Sequence, residues 1–183
     1  MTVRKQNSKK ISSQAYKTRP PQKSKIIPLL ENAYFYDAWS VTAADPSLSP
    51  MQQLISILDR TPQWVNSCMT LRNRVVRLFG LKDLGRFNRL NTSKSDSDYQ
   101  AMDRVGIFTL FEKDKDEVLF GDQDKHLNVT LSLYKEPGAE EGKSLITVTT
   151  VVHVNNLLGK LYLIPVLPMH RIIAPSVLKS LAR

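Results

Sequence analysis

The three histidines of the chain are the side chains best suited to chemistry. Two of them, His126 and His153, lie in segments where polar and apolar residues alternate, which is typical of strands. If residues 136–143 form a hairpin connection, pairing Lys135 with Ser144 keeps the apolar faces of both strands together. The same pairing places His126 opposite His153.

Two facing imidazoles can bind a metal or share a proton, and Asp124 or Asn155 would be close enough to orient them. The alternative is a pair of polar residues on a solvated sheet face, because two imidazoles without a third ligand fall short of a zinc site. The third histidine could join them only if the C-terminal segment folds back over that face. Otherwise it is a hydrogen-bonded packing residue. The polar site candidates are Asp124, His126, His153, Asn155 and His170, and the metal or other cofactor is unknown.

Other signatures of catalysis are absent from the sequence. It has no G-x-G-x-x-G, no phosphate-binding G-x-x-x-x-G-K and no nucleophile elbow, so nucleotide-dependent and serine-hydrolase chemistry has no support. Cys68 is the only cysteine, which excludes an intramolecular disulfide and a cysteine-rich zinc site. We therefore favour a binding protein over an enzyme and predict no catalytic residue.

The elements that must position these residues follow from hydrophobic periodicity. An aromatic-rich strand at residues 33–41 precedes two helices, which begin at Ser49-Pro50 and Thr61-Pro62 with a capping residue before proline. The second helix should run to about residue 79, and residues 82–103 are typical of a loop. Alternation of polar and apolar residues then predicts an antiparallel meander of four strands, at residues 104–111, 117–121, 125–135 and 144–154.

The C-terminal stretch Leu157–Ala182 is apolar and helix-like, but three prolines interrupt it at 165, 168 and 175. We expect a long helix that is kinked or broken, and no uninterrupted apolar run of the roughly 18 to 20 residues that a membrane-spanning helix needs. The predicted fold class is α+β. It is an antiparallel sheet meander with two helices after the first strand and a long C-terminal helix packed on the sheet.

The charge of the chain is unevenly distributed. The net charge is +9 over 183 residues, yet residues 1–25 hold eight cations and no acid, which leaves 18 cations against 17 acids in residues 26–183. We therefore expect a disordered basic tail at 1–25 and a single domain at 26–183. The tail either makes weak contacts with a polyanion such as nucleic acid, anionic lipid or an acidic partner, or serves only as a solubilising leader. No secretory signal or spanning segment is evident, so the expected location is cytoplasmic.

Residues 34–181 resemble the bacterial domain of unknown function 2867 family, through short motifs that occur in order along the chain. These are Tyr36-Asp37, residues 62–64, Leu71-Arg72, Gly80-Leu81, and residues 104–108, 124–127, 150–153, 156–159, 162 and 168–171. Such domains are also similar to the carboxyl-terminal part of some NAD(P)-binding short-chain dehydrogenase-like proteins. Without the nucleotide-binding domain, the resemblance implies a stand-alone copy.

The order of elements is also similar to START-like helix-grip folds, in which a curved sheet wraps the last helix and often encloses an apolar cavity. The sequence shows about five of the larger number of strands typical of that sheet. The resemblance implies a module that binds a small apolar molecule between the sheet and the C-terminal helix. The residues expected to contact the ligand are Leu127, Val129, Leu131, Val148, Val152 and Tyr162.

Overall fold

The computed structural model describes residues 14–77 and 94–182 of the chain. Their strands pair antiparallel throughout in one seven-stranded sheet. The strands are β1 (Tyr16–Thr18), β2 (Phe35–Ala43), β3 (Arg104–Val105), β4 (Phe108–Lys113), β5 (Glu117–Gln123), β6 (Leu127–Pro137) and β7 (Ser144–Val154). The sheet order is β1-β2-β7-β6-β5-β4-β3, so the predicted meander is confirmed and β2 closes onto its last strand. The first meander strand is divided by a turn in which Gly106 has a φ of +61°.

The described part of the chain has three α-helices: α1 (Pro50–Asp59), α2 (Gln63–Arg77) and α3 (Leu157–Leu178). Of these, α1 and α3 lie against the sheet. Ser49 is the N-cap of α1, as its Ser-Pro sequence predicts, and Gln52 completes a capping box with it. Ser49 Oγ accepts a hydrogen bond from the Gln52 amide at 3.1 Å, and Gln52 Oε1 accepts one from the Ser49 amide at 2.8 Å. The α+β fold class is confirmed, while the predicted end of the second helix and most of the predicted loop lie outside the described residues.

The hydrophobic core lies between one sheet face, α1 and the end of α3. Apolar side chains from β2, β5, β6 and β7 meet there because the antiparallel register brings alternate residues to the same face. Its buried members include Val41, Leu54, Leu58, Val118, Leu133, Ile146, Leu178 and Leu181. The end of α3 is therefore part of the core.

The observed register between β6 and β7 corrects the sequence prediction. Lys135 pairs with Ile146 rather than with Ser144, and His153 pairs with Asn128 rather than with His126. The strand continues to Pro137, and the hairpin is closed over residues 138–143 with the Gly138 amide donating to the Lys143 carbonyl at 2.8 Å. The error is two residues, so the predicted apolar faces are correct, but the predicted pair of facing histidines is wrong.

The start of the fold also differs from the prediction. Residues Tyr16–Thr18 pair with β2, and Ser24 and Ile26 are buried against the sheet. The carboxyl group of Glu117, which is 3% exposed, accepts hydrogen bonds from the hydroxyls of Ser24 and Ser132 and from the Lys25 amide. The expectation that the fold begins at residue 26 is therefore corrected for residues 14–25, because β-pairing and a buried carboxyl hold them. Residues 1–13 lie outside the described part.

We predict that Ser24→Ala lowers the free energy of unfolding by about 1–3 kcal/mol, because a buried hydrogen-bonding group then loses one of its partners. Denaturant unfolding of both proteins measures the change. The matched control is Ser97→Ala, whose hydroxyl lies at an exposed position and which should change the value by less than about 0.5 kcal/mol. Equal effects of the two substitutions would contradict a structural role for the N-terminal segment.

Helix α3 is one continuous helix despite its three internal prolines. Each proline lacks an amide N–H and leaves one helical carbonyl without its donor. The three carbonyls lie four residues before the prolines, on exposed residues where water can replace the lost donor: Leu161, Ile164 and Arg171. The predicted break is therefore absent. Among the described residues, Leu157–Ala182 is a stretch long and apolar enough to cross a membrane by length and composition alone, and an 18-residue window within it has a mean hydropathy of 1.5.

Candidate functional site

The side of α3 that faces the sheet is defined by residues recurring every three or four positions. We call this side the inward stripe: Gly159, Leu163, Val166, His170, Ile173 and Val177 of α3, with Leu181 of the 3₁₀ helix that follows it (Lys179–Ala182). Its two ends are buried, whereas its middle, from Val166 to Val177, is only half-buried. Helix α3 is thus anchored at both ends and less closely covered between them.

The N-terminal anchor is built from polar residues, of which the sequence singled out His126 but not Asn156. Asn156 caps α3, its Oδ1 accepting from the Gly159 amide at 3.1 Å, and its Nδ2 donates to the Lys125 carbonyl at 3.0 Å. The side chain of Asn156 also lies 3.1–3.2 Å from His126 Nδ1. The β5–β6 turn and the start of α3 are therefore joined by side-chain hydrogen bonds.

Two further site candidates complete this junction. Asp124 Oδ1 accepts from the amides of His126 at 2.6 Å and Leu127 at 3.0 Å, which fixes the turn before β6. Asn155 donates its amide to the His126 carbonyl at 2.9 Å and its side chain to the Asp124 carbonyl at 3.1 Å. These contacts give Asp124, His126 and Asn155 positioning roles at the anchor.

His153 is not part of this junction. Its Nε2 lies 3.2 Å from the Glu31 carbonyl, in the segment before β2. His126 and His153 therefore have different partners, and the structure does not bring them together as a cross-strand pair. Within residues 14–77 and 94–182, no group of three or more His, Cys, Asp or Glu side chains could hold a metal ion.

The close approach of α3 to the turn depends on Gly159. A Cβ at this position would lie 2.4 Å from the His126 carbonyl oxygen and 3.0 Å from Val154 Cγ1. Contacts under 3 Å to backbone atoms cannot be relieved by rotating a side chain, so the helix itself would have to move. The glycine is needed for its small size rather than for its backbone freedom.

We predict that Gly159→Ala lowers the free energy of unfolding by about 1–3 kcal/mol through this overlap, although alanine is the better helix former. The measurement is urea unfolding followed by circular dichroism. Lys160→Ala, at the exposed neighbouring position, is the control and should be within about 0.5 kcal/mol of wild type. A stabilised Gly159→Ala protein would show that the helix start is not held against the turn.

We call the sheet surface that α3 covers the inner face. Adjacent register positions on β2, β7, β6 and β5 place four residues on it, namely Asp37, Thr150, Leu131 and Phe120. Helix α3 lies against β2 and β7, and α1 lies against β5 and β6. Leu133 is fully buried, but Val129 and Leu131, in the same central strand, are half-buried. The two helices therefore leave part of the inner face incompletely covered.

The residues expected to contact a ligand lie on or beside this surface. Five of them share the inner face by register, namely Leu127, Val129, Leu131, Val148 and Val152. The sixth, Tyr162, is half-buried on α3, where its hydroxyl oxygen accepts from Arg72 Nε at 2.9 Å and its ring centroid lies 5.2 Å from the guanidinium carbon. The ring of Tyr162 thereby joins α2 to α3.

The carboxyl group of Asp37 on β2 and the imidazole of His170 on α3 meet between the sheet and the helix. His170 Nε2 lies 3.0 Å from Asp37 Oδ1, and the indole N–H of Trp39 donates to Asp37 Oδ2 at 3.0 Å. The Asp37 side chain is 3% exposed and that of His170 is 22% exposed. The imidazole also packs edge-on against the ring of Phe35, with 5.8 Å between ring centroids.

The environment of Asp37 contains opposing electrostatic effects. Burial raises the pKa of the carboxyl group, while the hydrogen bond and charge of His170, the hydrogen bond from Trp39 and the charge of Lys17 lower it. The lowering effects are larger together, so the pKa of Asp37 lies below its usual value and the group is ionised at neutral pH. The result is a carboxylate with an imidazole partner at the half-buried part of the inward stripe.

This lowered pKa predicts a pH dependence of stability. The contacts that the ionised Asp37 carboxylate makes stabilise the fold above the pKa of this group in the unfolded chain, near 3.8. This contribution is lost as the pH falls below 3.8 through the lower pKa of the folded protein. The difference in unfolding free energy between wild type and Asp37→Asn should therefore be largest at pH 7 and shrink by pH 3. Urea titrations at pH 7, 5 and 3 measure it, and a constant difference would contradict the ionised pairing.

Sequence reasoning proposed His170 but missed Asp37, Phe35 and Trp39. A signal for the acid was present, because Asp37 is the one charged residue among the alternate positions of β2 that face inward with Phe35, Trp39 and Val41. An acid on a buried strand face requires a partner. The lone histidine in the apolar C-terminal helix was a suitable one.

Comparison with known proteins assigns the chain to a family. The family model described as protein of unknown function, DUF2867, matches residues 29–177. The chain belongs to the DUF2867 family. This confirms the family resemblance, and the matched region contains Asp37, His170 and the helix anchor, whereas β1 lies outside it. No curated protein and no solved structure matches the chain.

Proposed function

We propose that this DUF2867 protein binds a small, largely apolar molecule between the inner face and the middle of the inward stripe, a region that we call the cleft. The observation that carries the proposal is a pattern of burial. The helix is buried at both ends, yet Val166 and Ile173 on the helix and Val129 and Leu131 on the sheet are half-buried. Protein interiors are close-packed, so facing apolar surfaces that stay partly exposed are suited to a ligand.

The cleft combines apolar surface with few polar groups, as small-molecule sites do. The Asp37–His170 pair is the polar element on its β2 side, and apolar residues of β6 form its floor. The seven-stranded antiparallel sheet with a long C-terminal helix also supports the likeness to START-like helix-grip folds. That likeness is an analogy of architecture and identifies no ligand.

The two alternatives suggested by the sequence have less support. The proposed site at His126 and His153 loses its basis because these residues bond to different partners. A polyanion contact through residues 1–25 and a cytoplasmic location stay predictions. Of the eight cations in that segment, Lys25 forms ion pairs with Glu112 and Asp114, which makes it less available to an external anion.

Native mass spectrometry of the purified full chain tests for a bound organic molecule directly. For the unoccupied protein, titration with the apolar dye N-phenyl-1-naphthylamine provides an affinity. We predict that the double variant Val129→Phe with Leu131→Phe weakens dye binding at least about tenfold, because the rings occupy the cleft. An unchanged affinity would contradict the proposal.

The control must separate the cleft from the apolar outer side of α3, which an apolar dye could also contact. Leu161 and Ile164 are 54% and 67% exposed on that side. The matched double variant Leu161→Phe with Ile164→Phe should keep the wild-type dye affinity within about twofold. If only this control altered binding, the dye site would be the outer side of the helix and not the cleft.

A further inference from the structure

We propose that the molecule bound in the cleft carries a hydroxyl group that donates a hydrogen bond to His170 Nδ1, and that Asp37 prepares the imidazole to accept it. This inference rests on the proposed binding function and adds a chemical class to it. The expected ligands are apolar alcohols or phenols, rather than hydrocarbons or carboxylates.

The hydrogen bonds of Asp37 determine which ring nitrogen of His170 carries the proton. An indole N–H can only donate, and an ionised carboxylate can only accept, so both oxygens of Asp37 act as acceptors toward Trp39 and His170. Nε2 of His170 must therefore carry a hydrogen. In the neutral imidazole the other nitrogen, Nδ1, then has a free lone pair and acts as an acceptor.

Nδ1 of His170 must also be free to meet a ligand. Among residues 14–77 and 94–182, the hydrogen bond of the His170 ring is the one that Nε2 makes to Asp37. The His170 side chain is 22% exposed, so the imidazole that carries Nδ1 is only partly covered. The ring contact with Phe35 and the half-buried Val166 and Ile173 make its surroundings mainly apolar.

An acceptor in such surroundings selects ligands by hydrogen bonding. A ligand hydroxyl that replaces water at Nδ1 keeps the hydrogen bond, whereas an ether or hydrocarbon leaves the nitrogen without a donor. A carboxylate ligand has no donor when ionised and would also lie near the charge of Asp37. The site should therefore prefer a hydroxylated apolar body.

Asp37→Asn tests the assignment because it changes polarity with almost no change in shape. The amide has one acceptor oxygen, which the Trp39 N–H requires, so the NH₂ group faces His170 Nε2. Nε2 must then accept, and the neutral ring carries its proton on Nδ1 instead. The variant site should lose its preference for a hydroxyl donor.

The experiment uses isothermal titration of the full chain with 2-naphthol, 2-methoxynaphthalene and 2-naphthoate. We expect wild type to bind 2-naphthol about fivefold more tightly than the methyl ether, as one net hydrogen bond provides, and more tightly than the carboxylate. In Asp37→Asn the ratio of naphthol to ether affinity should fall to about one or below. Asp59→Asn, an exposed acid at the end of α1, is the control and should keep the wild-type ratio.

The results distinguish failure of the proposed ligand binding from failure of the proposed role of His170 Nδ1. If neither the naphthol nor its ether binds wild type, the proposed function fails. If both bind equally, or if 2-naphthoate binds best, the cleft binds apolar molecules but the role of Nδ1 is wrong. A second measurement needs no variant: ¹⁵N NMR of His170 at neutral imidazole should show the proton on Nε2, and a proton on Nδ1 would overturn the inference.

Discussion

The junction between Asn156 and the His126 turn determines where α3 lies over the sheet, and the candidate site depends on that placement. Capping by Asn156 alone would start a helix at Leu157 without giving it a direction. The direction comes from the close approach of Gly159 to the His126 carbonyl, together with the burial of Leu178 and Leu181 at the opposite end. A helix held at two ends brings its middle, including His170, to the inner face without requiring every residue there to be packed.

The Asp37–His170 pair has an energetic cost that packing alone does not explain. Burying the Asp37 carboxylate, whose side chain is 3% exposed, costs desolvation free energy that its hydrogen bonds from His170 and Trp39 must offset. Asp37 lies on an inner face whose neighbours in β2 are Phe35 and Trp39, so an apolar residue would fit the pattern of the strand. A fixed imidazole tautomer is a property that an apolar residue cannot supply, and it is useful only if the free nitrogen meets a ligand.

The sequence predicted the parts of this protein that depend on local signals. The N-cap at Ser49 and the bounds of β7 follow from neighbouring residues, and the structure agrees with them. The pairing of residues 16–18 with β2 has no such signal, because the three-residue strand Tyr16–Thr18 is mostly exposed and its partner lies some twenty residues along the chain. The burial of Ser24 and Glu117 likewise depends on a contact between segments distant in sequence.

The site shows how a register error affects the two kinds of site residue differently. Side chains alternate with a period of two, so a shift of two residues leaves Leu127, Val129 and Leu131 on the predicted face. Which face an apolar residue occupies does not depend on such a shift, and the face of the residues expected to contact a ligand was therefore predictable. A polar pair depends on the partner directly opposite, and two residues of strand displace that partner by about 7 Å. This distance is enough to separate His126 from His153, whereas Asp37 and His170 meet because the anchored helix, rather than strand register, brings them together.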